Sequence, residues 1–125
     1  MIRNNGIYNN LIELVGQTPI VQLNMITNNF PGKYFAKLEM FNHGQSQKDR
    51  IALHIVENAE RKGILKEGST IVETTSGNTG FSLAMIAMVK GYKCKLAVSD
   101  KSSPDKIDGL RAMGERFLFA LPMFQ

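Results

Sequence analysis

A lysine near the start of a predicted helix is the first residue suited to chemistry. Lys48 lies in the segment HGQSQKDR, residues 43–50, where a helix is predicted to begin. Amide dipoles at a helix N-terminus disfavour a cation, and a desolvated lysine loses its proton and becomes a nucleophile. This segment alone favours a simpler interpretation, in which Lys48 faces solvent and Asp49 compensates its charge. The alternative is a neutral amine that forms a covalent bond.

The second candidate is the loop TSGNTG, residues 75–80, which lies between a predicted strand and a predicted helix. Ligands of open α/β sheets bind beyond the carboxyl ends of the strands, and free N–H groups at a helix start attract anions. The loop matches neither the Walker motif nor GxGxxG. On spacing alone a plain connecting turn is an equal alternative. The density of polar residues favours a carboxylate or phosphate site.

The helix that carries Lys48 has a start signal, an apolar face and a stop signal. Ser46 is the predicted N-cap, and Asp49, three residues later, completes a capping box. Gly63 is the predicted stop. Apolar residues at helical spacing predict one buried face, made of Ile51, Ala52, Ile55, Val56 and Ala59.

Predicted strands and helices alternate from residue 34 onward. The strands are expected at 34–40, 70–74, 93–99 and 117–121. The segment FSLAMIAMVK, in the helix after the second of these strands, is apolar nearly all round and predicts a buried helix that ends at Gly91. The alternation predicts an α/β fold, a parallel sheet flanked by helices. We expect residues 1–10 to be a flexible N-terminus and residues 11–125 to form one partial domain.

Composition excludes several classes of function. The chain has 125 residues, 43% of them hydrophobic, and a net charge of +4. No dense basic block with interleaved aromatics predicts nucleic-acid binding, and no apolar run approaches the roughly 20 residues of a membrane span. The two histidines have no partners at ligand spacing, so no metal site is expected. Cys94 is the single cysteine, which excludes an internal disulfide and favours a cytoplasmic location.

Four segments together resemble the cysteine synthase and cystathionine β-synthase family. They are VGQTPIVQLN, AKLEMFNHGQSQKDRIALHIVENAERKG, IVETTSGNTG and DKIDGLRAMG, which extend from about Leu11 to Gly114. The family uses pyridoxal 5'-phosphate in the fold-type II architecture, similar to the β-subunit of tryptophan synthase. The resemblance therefore implies an N-terminal part of such an enzyme, with most of the second domain missing.

The resemblance also implies a role for each candidate residue. Lys48 would bind pyridoxal phosphate as an imine, be released by the amino-acid substrate, and then remove its Cα proton. Asn78 matches the residue that hydrogen-bonds the ring oxygen of the cofactor. The loop that holds the substrate carboxylate is matched by Thr75, Ser76, Gly77 and Thr79.

The implied reaction is β-replacement, in which a thiol replaces the β-substituent of serine or O-acetylserine. The stretch SSPDKIDGLRAMG favours the cystathionine β-synthase type slightly over the cysteine synthase type. The implied partners are a small amino acid and a thiol, without nucleic acid or membrane, and relatives of full length are expected to be homodimers. The sequence leaves the choice of substrate open.

Four positions depart from the family pattern around the site. The family commonly has Asn-Pro-Gly-Gly-Ser before the lysine region, whereas His43 and Gln45 here replace the proline and the second glycine. Gln47 replaces a small apolar residue beside the lysine, and Thr74 stands where proline is usual. Each change could loosen the site without abolishing it.

The length of the chain and its last residues suggest a second hypothesis, that this polypeptide is an incomplete form of such an enzyme. Family members are much longer, so the resemblance implies that the phosphate-binding loop and the residue facing the pyridine nitrogen are missing. Residues 115–125 diverge from the family, and a frameshift is one explanation that resequencing would test. We therefore expect weak cofactor binding and little turnover from this polypeptide alone. The alternative is a catalytically inactive polypeptide that acts as a ligand-binding or interaction module.

Overall fold

The structure, a computed structural model, describes residues 6–75, 77–99, 104–113 and the backbone of 116–120. It contains two short 3-10 helices, five strands and three α-helices in this part of the chain. In chain order these are a 3-10 helix Leu11–Leu14, β1 Ile20–Leu23, β2 Tyr34–Lys37, a 3-10 helix Glu39–Phe41, α1 Lys48–Arg61, β3 Thr70–Thr75, α2 Asn78–Lys90, β4 Lys93–Ser99, α3 Pro104–Ala112 and β5 Arg116–Ala120.

The strands form two sheets. The larger is parallel, with the order β3-β4-β5, and it aligns Thr70 with Lys93 and Lys95 with Arg116. This arrangement confirms the predicted α/β class. The predicted strand at residue 34 does not belong to this sheet, because β2 pairs antiparallel with β1. The two strands follow each other closely in the chain, and antiparallel partners need no long crossover connection.

Helix α2 is the centre of the described core, as its apolar sequence predicts. Seven of its residues are buried, including Ser82 and the run Leu83–Ala87. On one side Ala84 and Ala87 pack with side chains of β4 and α3, and on the other Leu83 and Ile86 pack with α1. The helix ends at Gly91, whose φ of 76° is the left-handed conformation expected of a glycine cap.

Helix α1 buries a narrower face than the sequence predicts. Ala52 is 0% and Val56 2% exposed, whereas Ile51 is 44% and Ile55 53% exposed. Successive residues of a helix are rotated by about 100°, so contact with α2 through Ala52 and Val56 turns Ile51 and Ile55 away. The predicted inner position of these two isoleucines is therefore wrong for the described residues.

A polar cluster ties the end of α1 to the end of α2. Lys90 Nζ and the Tyr92 hydroxyl each donate to the Glu60 carboxylate at 2.8 Å. The hydrogen bond from Lys90 lowers the pKa of Glu60, and the hydrogen bond to Glu60 raises the pKa of Tyr92. The two helices are thus fixed to each other at their C-terminal ends.

Within the described ranges, no helix has the length and apolar character needed to cross a membrane. The same residues include no group of three or more His, Cys, Asp or Glu side chains arranged to hold a metal ion.

Candidate functional site

Lys48 is the first residue of α1, and its side chain is partly buried. Its backbone N–H donates to Ser46 Oγ at 3.1 Å, so the serine supports the turn from two residues upstream. The helix cap itself is Gln47, whose side chain makes no capping hydrogen bond. The predicted N-cap at Ser46 is therefore displaced by one residue, while the lysine stands at the helix start as predicted.

The next residue, Asp49, points into the protein and is 0% exposed. Its Oδ2 accepts a hydrogen bond from the N–H of Gly44 at 2.7 Å, and its Oδ1 accepts one from the Ser82 hydroxyl at 2.5 Å. The predicted capping box with Ser46 is wrong, because the carboxyl group is used by a loop and by α2 instead. For the same reason Asp49 does not compensate the charge of Lys48 at the surface, as the simpler interpretation of the sequence required.

The loop before Lys48 contains a strained residue. Gln45 has a φ of 57°, the left-handed conformation that glycine adopts easily and that costs other residues about 1–2 kcal/mol. This position corresponds to one of the two departures from the Asn-Pro-Gly-Gly-Ser pattern. The side chains of His43, Gln45 and Gln47 are all exposed. The strain, rather than a packing clash, is therefore the local consequence of the glutamine.

A hydrogen-bond network anchors the two ends of this loop. Asn42 is 3% exposed, and its Oδ1 accepts from Gly16 N–H at 2.8 Å. Its Nδ2 donates to Glu39 Oε2 at 2.9 Å and to the Ser46 carbonyl at 3.0 Å. Arg50, two residues after Lys48, donates from Nε and Nη2 to the two oxygens of Glu39, both at 2.9 Å. Sequence reasoning missed this network, whose partners are charged or amide side chains close together in the chain.

The network shifts the titration of Glu39. Its pKa falls from 4.5 to about 2, chiefly because Arg50 hydrogen-bonds the ionised form, with further hydrogen bonds from Thr18 and Asn42. A carboxyl group whose pKa is lower in the folded state stabilises the fold above its unfolded pKa. That contribution is lost as the pH falls from about 4.5 towards about 2.

We expect Glu39→Gln to lower the free energy of unfolding by about 1–2 kcal/mol at pH 7, because Arg50 loses an ionised partner and is itself partly exposed. The difference between wild type and variant should shrink as the pH falls from about 5 to about 2, the range in which Glu39 takes up its proton. Urea unfolding at several pH values measures this difference. A difference that stays constant across the range would contradict the assignment of the pKa to this network.

The turn before α2 is organised by Thr75. Its side chain is buried, and its hydroxyl accepts from Gly77 N–H at 3.2 Å and from Gly80 N–H at 3.1 Å. A Cβ at Gly80 would meet Thr75 Cγ2 at 2.1 Å, so only glycine lets the helix start approach the strand this closely. The hydroxyl of Thr75 thus caps α2 from within, which sequence reasoning did not foresee.

The other residues of the turn are more accessible. Asn78 is exposed, and Gly77 and Thr79 are partly buried. Ser76 lies outside the described residues. The Gly80 N–H is bonded to Thr75, and the Phe81 N–H donates to the Gly77 carbonyl at 3.4 Å. Within the described part of this turn, the Asn78 and Thr79 amides are therefore the helix-start donors best placed to meet an anion.

Ser82 connects the two helix starts. Its hydroxyl is 2.5 Å from Asp49 Oδ1 and 2.9 Å from the Asn78 carbonyl oxygen. The residue that follows Lys48 is therefore one hydroxyl group away from the backbone of Asn78. This contact brings the first turn of α1, which carries Lys48, next to the first turn of α2.

Comparisons of the sequence with a family profile and with known proteins all indicate the same family. A sequence profile described as pyridoxal-phosphate dependent enzyme matches residues 11–121. Cystathionine beta-synthase of Oryctolagus cuniculus is 50% identical over 106 residues, which are 83% of this chain and 19% of that protein. Cysteine synthase of Dictyostelium discoideum is 42% identical over 110 residues, 88% of this chain and 29% of that protein.

Two solved structures share the fold at similar identity. A hydrogen sulfide-producing enzyme from Fusobacterium nucleatum has a TM-score of 0.85 and 43% identity, and the match covers 92% of this chain and 38% of that one. O-ureido-L-serine synthase has a TM-score of 0.81 and 40% identity, with 90% and 35% covered. This chain spans about a fifth of the length of the cystathionine beta-synthases it matches.

Proposed function

Because the chain belongs to the pyridoxal-phosphate dependent enzyme family, we propose that it supplies the lysine-bearing part of a β-replacement site. In that reaction a thiol replaces the substituent on the β-carbon of serine or O-acetylserine. The observation that carries the proposal is the contact of Asp49 with Ser82 and of Ser82 with Asn78, which joins the Lys48 turn to the TSGNTG turn.

The donor groups at these two helix starts fit the cofactor of the family. Lys48 offers a primary amine, the group that forms an imine with an aldehyde, at the first residue of α1. The exposed Asn78 amide would donate to the ring oxygen of the cofactor. Backbone and side-chain donors that would hold the substrate carboxylate are those of Thr75, Ser76, Gly77 and Thr79. When bound, pyridoxal phosphate supplies an electron sink for negative charge that develops at Cα.

The residues of this chain would divide the remaining tasks. Lys48 Nζ takes the Cα proton, a transfer that needs an amine held within hydrogen-bond reach of that proton. The backbone amide of Thr79, with the other donors proposed for the carboxylate, orients the substrate so that the Cα–H bond faces the lysine. Thr75 supports this turn through its hydrogen bonds to Gly77 and Gly80. These hydrogen bonds favour a supporting role for Thr75. Direct contact of Thr75 with the substrate stays a prediction.

The substrate class is supported by the kinds of relatives. Enzymes named cystathionine beta-synthase, cysteine synthase and O-ureido-L-serine synthase are all similar to this chain. We propose an amino acid and a thiol as substrates, a cytoplasmic location, and a homodimer for the longer relatives.

A second candidate is a module that binds a ligand or another polypeptide without catalysis. The exposed apolar side chains favour it, since Ile20 is 62% and Phe35 59% exposed on the β1–β2 pair. Exposed apolar residues in one region are typical of interaction surfaces.

Addition of amino acids to the chain pre-equilibrated with pyridoxal phosphate separates the two candidates. We expect L-serine or O-acetyl-L-serine to shift the visible absorbance of the cofactor, and we expect the D-enantiomer of serine to shift it much less. The oriented carboxylate site is the reason for this preference. If neither enantiomer, or both equally, changed the spectrum of a cofactor bound at Lys48, the module would be favoured over the enzyme.

A further inference from the structure

Asp49 carries a carboxyl group with no exposed surface, immediately after Lys48 in the chain. Within the part of the chain that the structure describes, its hydrogen bonds come from neutral donors, the Gly44 N–H and the Ser82 hydroxyl. Burial of a carboxyl group is costly unless its oxygens are hydrogen-bonded, and an apolar side chain would fill such a place at lower cost. A buried carboxyl group beside the proposed cofactor-binding lysine therefore requires an explanation.

Resting on the proposed function, we propose that Asp49 is a positioning residue. Through Ser82 it holds the Lys48 turn of α1 in register with the Asn78 turn of α2. Three segments meet at this one carboxyl group: the loop before the lysine, the first turn of α1 and the first turn of α2. Its Oδ2 holds the loop at Gly44, and its Oδ1 holds α2 at Ser82.

The loop is shaped to admit the carboxyl group. A Cβ at Gly44 would lie 2.1 Å from Asp49 Oδ1 and 3.1 Å from Oδ2, so a side chain at this position would displace the contact. From Ser82 the link continues to the Asn78 carbonyl at 2.9 Å. Asn78 lies one helical turn before Ser82 in α2, so the residue proposed to contact the cofactor ring is held near the residue next to the lysine by the Ser82–Asp49 hydrogen bond and the α2 backbone.

The register matters because both turns must meet one small molecule. A displacement of about 1 Å between reacting groups can cost about a hundredfold in rate, and supporting hydrogen bonds commonly change the affinity or activity of the groups they orient by about 10–100-fold. The polar cluster of Glu60, Lys90 and Tyr92 fixes only the opposite ends of α1 and α2. Asp49 and Ser82 supply the corresponding contact at the functional end.

The test measures how fast pyridoxal phosphate attaches to Lys48 in the whole chain. Samples are quenched with borohydride at intervals, and the modified Lys48 peptide is quantified by mass spectrometry. We expect Ser82→Ala to slow attachment at least about tenfold. Val56→Ala is the matched control, since Val56 is buried where α1 packs on α2 and lies two helical turns after Lys48. It should lose stability yet capture the cofactor within about twofold of wild type.

Two results would overturn the proposal. One is attachment in Ser82→Ala at the wild-type rate, and the other is an equal loss in Val56→Ala. Asp49→Asn removes the charge of the carboxylate but keeps its shape and hydrogen bonds. The asparagine oxygen can still accept from the Gly44 N–H, and its NH2 group can donate to the Ser82 hydroxyl oxygen. We expect it to retain most of the attachment rate, and a loss as large as that of Ser82→Ala would contradict positioning.

Two further measurements keep the outcome decisive. If Ser82→Ala fails to fold, Ser82→Cys keeps the shape of the side chain and makes a weaker hydrogen bond. Attachment to this variant should be clearly slowed, whereas attachment at the wild-type rate would refute the proposal.

If wild type itself fails to attach pyridoxal phosphate at Lys48, the proposed function fails. Amide hydrogen exchange without cofactor then tests the coupling alone: Ser82→Ala should speed exchange at Asn78 and Thr79, and unchanged exchange would refute it.

Discussion

Replacement of Lys48 by alanine is expected to abolish the visible absorbance that pyridoxal phosphate acquires when it is attached to this chain. Lys48 is the first residue of α1 and is partly buried, and its neighbour Asp49 is hydrogen-bonded to Ser82 in the first part of α2. Exposed lysines attach aldehydes weakly and reversibly, because water solvates their ammonium form and no neighbouring groups hold the ligand. The loss in Lys48→Ala should therefore be nearly complete at low cofactor concentration.

Two variants control for charge and for general lysine chemistry. Lys48→Arg keeps a cation but has no nucleophilic amine, and it should lose the band as fully as the alanine variant. Lys62→Ala removes an exposed lysine at the opposite end of α1 and should leave the band unchanged. A band that survives in Lys48→Ala, or that weakens equally in Lys62→Ala, would show that attachment occurs elsewhere.

The second large effect is expected at Gly80, where α2 approaches β3. An added Cβ would lie 2.1 Å from Thr75 Cγ2, so either the helix start or the strand end must move. We expect Gly80→Ala to lower the free energy of unfolding by about 2–3 kcal/mol through overpacking and the loss of the Thr75 cap, even though alanine favours helices. Urea unfolding followed by circular dichroism measures this loss.

Thr75→Ser supplies the rescue for Gly80→Ala. It removes the Cγ2 atom that would clash and keeps the hydroxyl, which lies 3.1 Å from the added Cβ and bonds the Gly80 N–H. The double variant should recover at least about 1 kcal/mol relative to the sum of the single changes. Gly6→Ala is the control, since its Cβ would meet nothing within 4 Å. Additive losses in the double variant would disprove the close contact as the cause.

The parts of the fold that sequence reasoning predicted best are those with a local physical signal. The segment FSLAMIAMVK is apolar on every side, and α2 is buried between α1 and the parallel sheet. The strand predicted at residues 93–99 has the observed bounds of β4. The glycine stops at Gly63 and Gly91 both follow helices and have positive φ values of 65° and 76°. Such signals depend on neighbours in the chain.

The errors arise where a tertiary contact overrides a local pattern. Ser46 and Asp49 have the spacing of a capping box, yet the Asp49 carboxyl is bonded by Ser82, 33 residues away. The packing of Ala52 and Val56 against α2 decides which face of α1 is buried, and Ile51 and Ile55 are turned outwards as a result. The Asn42–Glu39–Arg50 network was equally invisible, since the spacing of these residues alone does not show that the loop folds back on α1.

In the candidate site, too, local features were predictable from the sequence and tertiary contacts were not. The place of Lys48 at a helix start was predictable from the sequence, whereas Asn78, expected in a connecting loop, is the first residue of α2. That the two starts are joined through Ser82 was not predictable, because a serine within an apolar helix has no distinctive pattern. The proposed roles of Lys48, Asn78, Thr75, Ser76, Gly77 and Thr79 stay predictions, as does the flexible segment 1–10.

Identification of the residue to which pyridoxal phosphate attaches tests the central claim most directly. The chain is equilibrated with less than one equivalent of the cofactor, reduced with borohydride and digested, and every lysine peptide is examined by mass spectrometry. We predict that the reduced cofactor is found overwhelmingly on Lys48. Modification spread over exposed lysines such as Lys62 and Lys66, with no preference for Lys48, would contradict the account.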